Sequence, residues 1–301
     1  MVNSAINGTG GVTKTGVGTL ILIPLTPGGS GFTGPLTITG GKVIVDGYED
    51  AGPTYHPGVR STEIYVGNAS SPGSPDSVVL QMGQLASPPA ANNTIGTYNV
   101  STNASGSNIT IYSDGAFLLN QAANGFVNIN LQGGHINGGT SAAALTVSGG
   151  ITTIGNANTA VIENGSLRMS ANSFTFNVAD GAAAVDLRVD NTVQSGVGYT
   201  GSGSGTGLVK SGLGTMVLTG ANTYQGISNI SEGILNIRNA GALGQYGGSL
   251  GDLSNGTTVQ SGAQLQLEHA TALTVALETL TLKGVGVGGT GALLNVGGNN
   301  T

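Results

Sequence analysis

GLVKSGLGTMVLTGANTYQGISNISEGILNI, residues 207–237, is the stretch that decides the fold. It sets short apolar runs between glycines at fixed spacing. A looser copy stands near the start, in GVTKTGVGTLILI (11–23) and GFTGPLTITGGKVIV (31–45). Lys14, Gly16, Gly18 and Leu22 fall on Lys210, Gly212, Gly214 and Leu218 at one offset. Phe32, Gly34, Ile38 and Gly41 fall on Tyr224, Gly226, Ile230 and Gly233 at an offset four residues shorter, which predicts an insertion around Pro24 and Pro27. A repeat that keeps glycines and apolar spacing while varying its middle is a mark of architecture rather than of catalysis.

The same pattern runs through the rest of the chain. Alternating apolar runs of about five residues recur, among them EIYV (63–66), NITIY (108–112), FVNINL (126–131), SFTFNV (173–178), QLQL (264–267) and ETLTL (278–282). Gly, Asn, Asp or Ser turns separate them, so the residues predict an all-β chain. HATALTVALETL (269–280) is the one stretch with a helical reading, and β-branched residues interrupt it. Repeats, short strands and Gly/Asn corners favour a solenoid over a sandwich, barrel or propeller. The expectation is a single-stranded parallel β-helix, right-handed, with about 20–25 residues per coil and on the order of a dozen coils. One continuous unit over 1–301 is expected, with a rougher, loop-rich interval at 48–103. There GPTYHPG (52–58), SSPGSPDS (70–77) and ASPPAANN (86–93) would project, since proline cannot serve inside a ladder.

Composition narrows the function. Only 7% of residues are charged, so Asn, Ser, Thr and Gly must supply the surface polarity, which is foreign to cytosolic enzymes. A net charge of −6 without a basic stripe or Trp argues against nucleic acid as a partner. Without cysteine there is neither a disulfide nor a thiolate metal site. No apolar run reaches the length of a helical membrane span, and the N-terminus has no export-signal pattern.

Lys210-Ser-Gly-Leu-Gly-Thr, then Val217-Leu218-Thr219-Gly220-Ala221-Asn222-Thr223-Tyr224 and Gly226, resembles the autotransporter-associated β-strand repeat, also called the passenger-associated transport repeat. The copy at 207–237 fits nearly throughout, with Met216 in a usual Leu place. The copy at 11–45 keeps the Lys and Gly-x-Gly-Thr-Leu half and lacks the Gly-x-Asn-x-Tyr segment. ALLNVGGNNT (292–301) resembles the first half of a third unit, which suggests a longer parent protein. The resemblance implies a secreted or surface-displayed bacterial β-helix, as in passengers carried by an outer-membrane barrel that is not in this sequence. In that reading Lys14, Gly16, Gly18, Lys210, Gly212, Gly214, Gly220, Asn222, Tyr224, Gly226 and Gly233 are structural repeat positions.

Candidate chemistry is sparse. Asp186, Arg188 and Asp190 in VDLRVD would share one strand face opposite Val185, Leu187 and Val189. Paired carboxylates can act as acid and base in glycoside cleavage, so Asp186 and Asp190, with Tyr199 and the 48–103 loops, are the catalytic alternative. The competing reading is a solvent-facing row with an Arg between two Asp. His56, His135 and His269 are dispersed and show no metal-ligand spacing. Gly286, Gly288 and Gly291 formally satisfy a dinucleotide fingerprint, but ALLNVGG follows as a strand where a helix is required, so a glycine turn is expected. No cofactor or metal is expected. Two functions remain: a structural or adhesive extracellular segment (stalk, passenger or fibre-forming unit), or a carbohydrate-active β-helix enzyme of the lyase, hydrolase or depolymerase kind. Expected partners are further copies, end to end or side by side, or host and surface glycans or matrix.

Overall fold

The inward rows account for the architecture. In a computed structural model, residues 6–22, 31–45, 48–49, 55–56, 59–82, 106–119, 124–139, 144–169, 173–195, 207–244, 256–276 and 278–301 are described. The chain divides into two compact units, one covering 1–148 with 163–166 and the other 149–162 with 167–301.

In the first unit, one parallel sheet orders Val12–Lys14, Leu36–Ile38, Glu63–Val66, Asn108–Tyr112 and Asn124–Gln132. A second orders Thr19–Leu22, Gly41–Val45, Val78–Met82, Gly115–Leu118 and His135–Asn137. Each coil therefore contributes one strand to each sheet and returns to lie beside its predecessor. The register stacks like on like: Leu36, Ile64, Ile109 and Ile129 form one inward column, and all four are fully buried. At about 1.5–3 kcal/mol for each such side chain, this column explains why strands of so few residues hold together. Thr37, Tyr65, Thr110 and Asn130 alternate with it on the opposite face.

The second unit repeats the scheme. Gly150 to Thr153 of the strand Ala144–Thr153 pair with Ser173–Val178, followed by Gly207–Ser211, Ser228–Ile230, Thr257–Val259 and Leu280–Leu282. Ala160 to Ile162 of the strand Ala160–Glu163, with Leu187–Val189, Thr215–Leu218, Ile234–Ile237, Gln264–Glu268 and Leu293–Gly297, make its companion sheet. The fold is thus a parallel β-solenoid. The one antiparallel strand pair among the described residues is Tyr48–Glu49 with Tyr55–His56, inside the loop-rich interval.

Coil lengths are short outside the loop-rich interval and long within it. The hydrogen-bonded neighbours Asn108 and Asn128 are 20 residues apart, whereas Glu63 and Asn108 are 45 apart. The longer excursion holds the proline-rich turn at 70–77, which is exposed throughout. Residues 86–93, Tyr199, and Pro24 with Pro27 lie outside the described residues. HATALTVALETL is not helical: it runs as irregular chain into the strand Leu280–Leu282. GVGVGGTG is a glycine turn with a three-residue 3-10 segment, Val287–Gly289, and then the strand Leu293–Gly297.

Candidate functional site

The repeat positions converge on the corners between the two strands of a coil. Lys210 occupies an inward column between Phe176 and Ile230 and is completely buried. Its ammonium turns to the corner and donates to three carbonyl oxygens: Ser211 at 3.1 Å, Gly212 at 2.7 Å and Glu232 at 3.0 Å. Lys14 makes the equivalent set, to Thr15 at 2.7 Å, Gly16 at 2.7 Å and Gly40 at 2.9 Å. In each copy the third bond reaches the following coil, so the lysine laces two coils together. Carbonyls at a corner have left the ladder and need donors, and a long cationic side chain reaches several at once. Burial pulls the Lys210 ammonium down to about 8, against the pull of Glu232 and Asp186.

Glycine is required at these corners for two separate reasons. Gly233 has φ +63, a left-handed conformation that side chains disfavour. A Cβ at Gly214 would sit 2.5 Å from Ala179 O and 2.7 Å from Asp186 Oδ2, so the coils could not approach. Gly16, Gly212 and Gly226 also take positive φ, while Gly18, in the first coil, has open space around it.

Asn222 and Tyr224 fill the next corner. Asn222 Oδ1 accepts the Val193 N–H at 2.8 Å and its Nδ2 donates to Ala242 O at 2.6 Å, one bond to the preceding coil and one to the following. Gly220 lies against Asn191 O so closely that no side chain fits. The buried Tyr224 hydroxyl bonds Ser228 Oγ at 2.7 Å, and burial pushes its ionisation well above the usual range. Phe32, which stands in the Tyr224 place of the first copy, is likewise buried but has no hydroxyl to satisfy.

The carboxylates of VDLRVD do not form a common exposed row. Only Leu187–Val189 is strand, and Asp186 is 6% exposed. Its Oδ1 accepts the Gly181 N–H and its Oδ2 the Thr215 N–H, each at 2.8 Å, which fixes one corner to the next coil. Asp190 receives the Arg188 Nε at 2.8 Å and the Thr219 hydroxyl at 2.7 Å. The burial of Asp186 had no signal in a strand-alternation pattern, because its role depends on the chain leaving the strand at that residue.

Among the described residues no group of three or more His, Asp or Glu could hold a metal ion. His269 Nδ1 accepts the Thr271 N–H at 3.2 Å, and the side chain of His56 lies outside the described residues. His135 lies between Asp76 and Glu163, a grouping that sequence spacing hides. Two hollows accompany the last coils of the second unit. One, of about 540 Å³, is open and lined by Arg238, Glu268, His269 and Val296. The other, of about 100 Å³, is lined by Leu265, Leu267, Val275, Leu280, Leu293 and Glu278, whose carboxyl is raised by burial. Arg238 and Glu268 are already paired at 3.0 Å, and Asn236 bonds the same carboxylate at 2.8 Å.

Residues 12–45 and 208–237 each match the passenger-associated-transport-repeat. The two matched stretches together make up about a fifth of the chain. The lysine clamps and the Asn222–Tyr224 corner lie within these matched stretches. Over 110 residues the chain is 34% identical to the adhesin BmaC autotransporter of Brucella suis biovar 1 (strain 1330), a match covering 36% of the chain. The chain spans only about 3% of that relative's length. No solved structure matches the chain.

Proposed function

We propose that the chain is a structural, adhesive segment of the exported passenger of a bacterial surface protein, and that it performs no catalysis. The reading rests on one observation above all. The polar residues that mark the transport repeat, Lys14, Lys210 and Asn222, spend their hydrogen bonds on backbone groups of their own and adjacent coils. Groups bonded in this way hold a stack; they are not poised to attack a substrate. Resemblance to a stretch of an autotransporter adhesin supports the surface or secreted location. The low charge supports the same reading, since a hydroxyl- and amide-rich face suits many weak contacts with glycans or matrix.

Incubating the purified chain with a panel of polysaccharides and coated matrix proteins tests both halves. Retention on at least one coat without release of reducing ends is expected. Release that disappears in a folded Asp186→Asn variant would overturn the proposal in favour of a carbohydrate-active enzyme.

A further inference from the structure

The exposed turn at 68–77 is tied to the first unit at two points of different chemistry. One is Asp114, which is 2% exposed: its Oδ1 accepts the Asn68 N–H at 2.8 Å and its Oδ2 the Gly73 N–H at 3.0 Å. The other is Asp76, which takes a left-handed backbone conformation at φ +58. Its two carboxylate oxygens lie 3.2 and 3.1 Å from His135 Nδ1. On the far side of the ring, Glu163 Oε1 stands 3.3 Å from His135 Nε2, close enough for a charge contact but without hydrogen-bond alignment. Asn137 Nδ2 at 3.1 Å and Asn164 Nδ2 at 3.4 Å hold that carboxylate in place.

An imidazole between two carboxylates behaves differently in its two protonation states. The imidazolium presents N–H to both sides, whereas the neutral ring has one N–H and one lone pair, and the lone pair must face a carboxylate. Among the described residues, Asp76 and Glu163 are the titratable groups in contact with the ring. The ring's own strand, His135–Asn137, has none, and neither does Gly115–Leu118, which places Ala116 beside His135. Glu163 comes from the end of the strand Ala160–Glu163, and Asp76 from the turn.

We propose that His135 is a proton-operated latch: as imidazolium it pins the 68–77 turn through an ion pair with Asp76 while braced by Glu163, and on losing its proton it keeps at most one neutral hydrogen bond there and loosens the Asp76 end. The Asp114 end stays fastened, so the turn pivots rather than unfolds. Side-chain exposures of 23% for His135, 50% for Asp76 and 29% for Glu163 admit water and salt to the latch, so it answers to both pH and ionic strength. Imidazoles exchange their proton over about pH 5 to 8. Acidity therefore favours the closed latch.

Amide hydrogen exchange on the intact chain tests this, with each rate divided by the intrinsic rate at that pH. The Ser77 N–H, bonded to Ser74 O at 3.2 Å, reports the Asp76 end, and the Asn68 N–H reports the Asp114 end. Protection at Ser77 should fall about fivefold from pH 5 to pH 8, the scale of a partly exposed ion pair, with Asn68 unchanged. In His135→Gln and in Asp76→Asn, Ser77 should be weakly protected at both pH values, and 1 M NaCl at pH 5 should weaken it in the unaltered chain. Equal Ser77 protection at both pH values, or a fall that persists in folded His135→Gln, would overturn the latch. Should either variant fail to fold, the pH and salt series on the unaltered chain still decide.

Discussion

At the scale of single residues, Lys210 is a structural cation whose burial is only partly compensated by carbonyls. Replacing it with Met keeps the volume and strands three corner oxygens, which should cost about 1–3 kcal/mol, read as a lower urea midpoint. Its lowered ionisation gives a second signature. With the folded value at about 8 and the ordinary value at 10.5, the unfolded chain holds more protons between them. The contribution of Lys210 to stability is thus complete above 10.5 and lost as pH falls through about 8. Tyr224 acts oppositely: its ionisation is raised in the fold, so its contribution is present below the ordinary value of 10.0 and declines as pH rises beyond it. Between pH 8 and 10 the lysine dominates, and the stability of the unaltered chain should rise relative to Lys210→Met. A parallel pH dependence of the two proteins would contradict the buried-clamp reading.

At the scale of the element, corners matter more than strands. Asp186→Ala strands two backbone N–H groups, Gly181 and Thr215, and should cost about 1–3 kcal/mol, while Asp186→Asn keeps one acceptor and costs less. Thermal melts of the two variants check the order. Gly233→Ala forces a side chain into a left-handed conformation, about 1–2 kcal/mol, and brings its Cβ to 2.5 Å from Gly212 O, so it should be at least as damaging. Strands and turns were legible in the sequence because alternation and glycine spacing are local properties. The contents of the corners were not. Lys210 reads as a polar residue on a strand, yet it faces inward, because its length lets the charge leave the column for the corner. His135, Asp76 and Glu163 are far apart in sequence and meet only in the folded stack. Asp76 lies 59 residues before His135, a separation that no repeat period announces.

At the scale of the whole molecule, low charge is the dominant property of the composition. With 7% of residues charged, long-range electrostatics contribute little to stability. The thermal midpoint should therefore change little between 0.05 and 1 M NaCl, and a shift of more than about 5 °C would contradict this. The repeats explain the stack, and the likeness to a small stretch of an adhesin explains the proposed setting. The loops that vary from coil to coil are then the places where contacts with other molecules would differ.

Parallel stacking of coils in fixed register is the claim on which the rest depends, and a chain without cysteine allows it to be read directly. Asn229 and Thr258 are register partners on the outer face of adjacent coils, whereas Val259, one residue on, is fully buried in the column beneath. Adjacent strands lie about 4.8 Å apart, within reach of a disulfide. Mild oxidation should crosslink Asn229→Cys with Thr258→Cys completely and leave Asn229→Cys with Val259→Cys reduced. Equal crosslinking of both pairs, or of the second alone, would contradict the parallel solenoid.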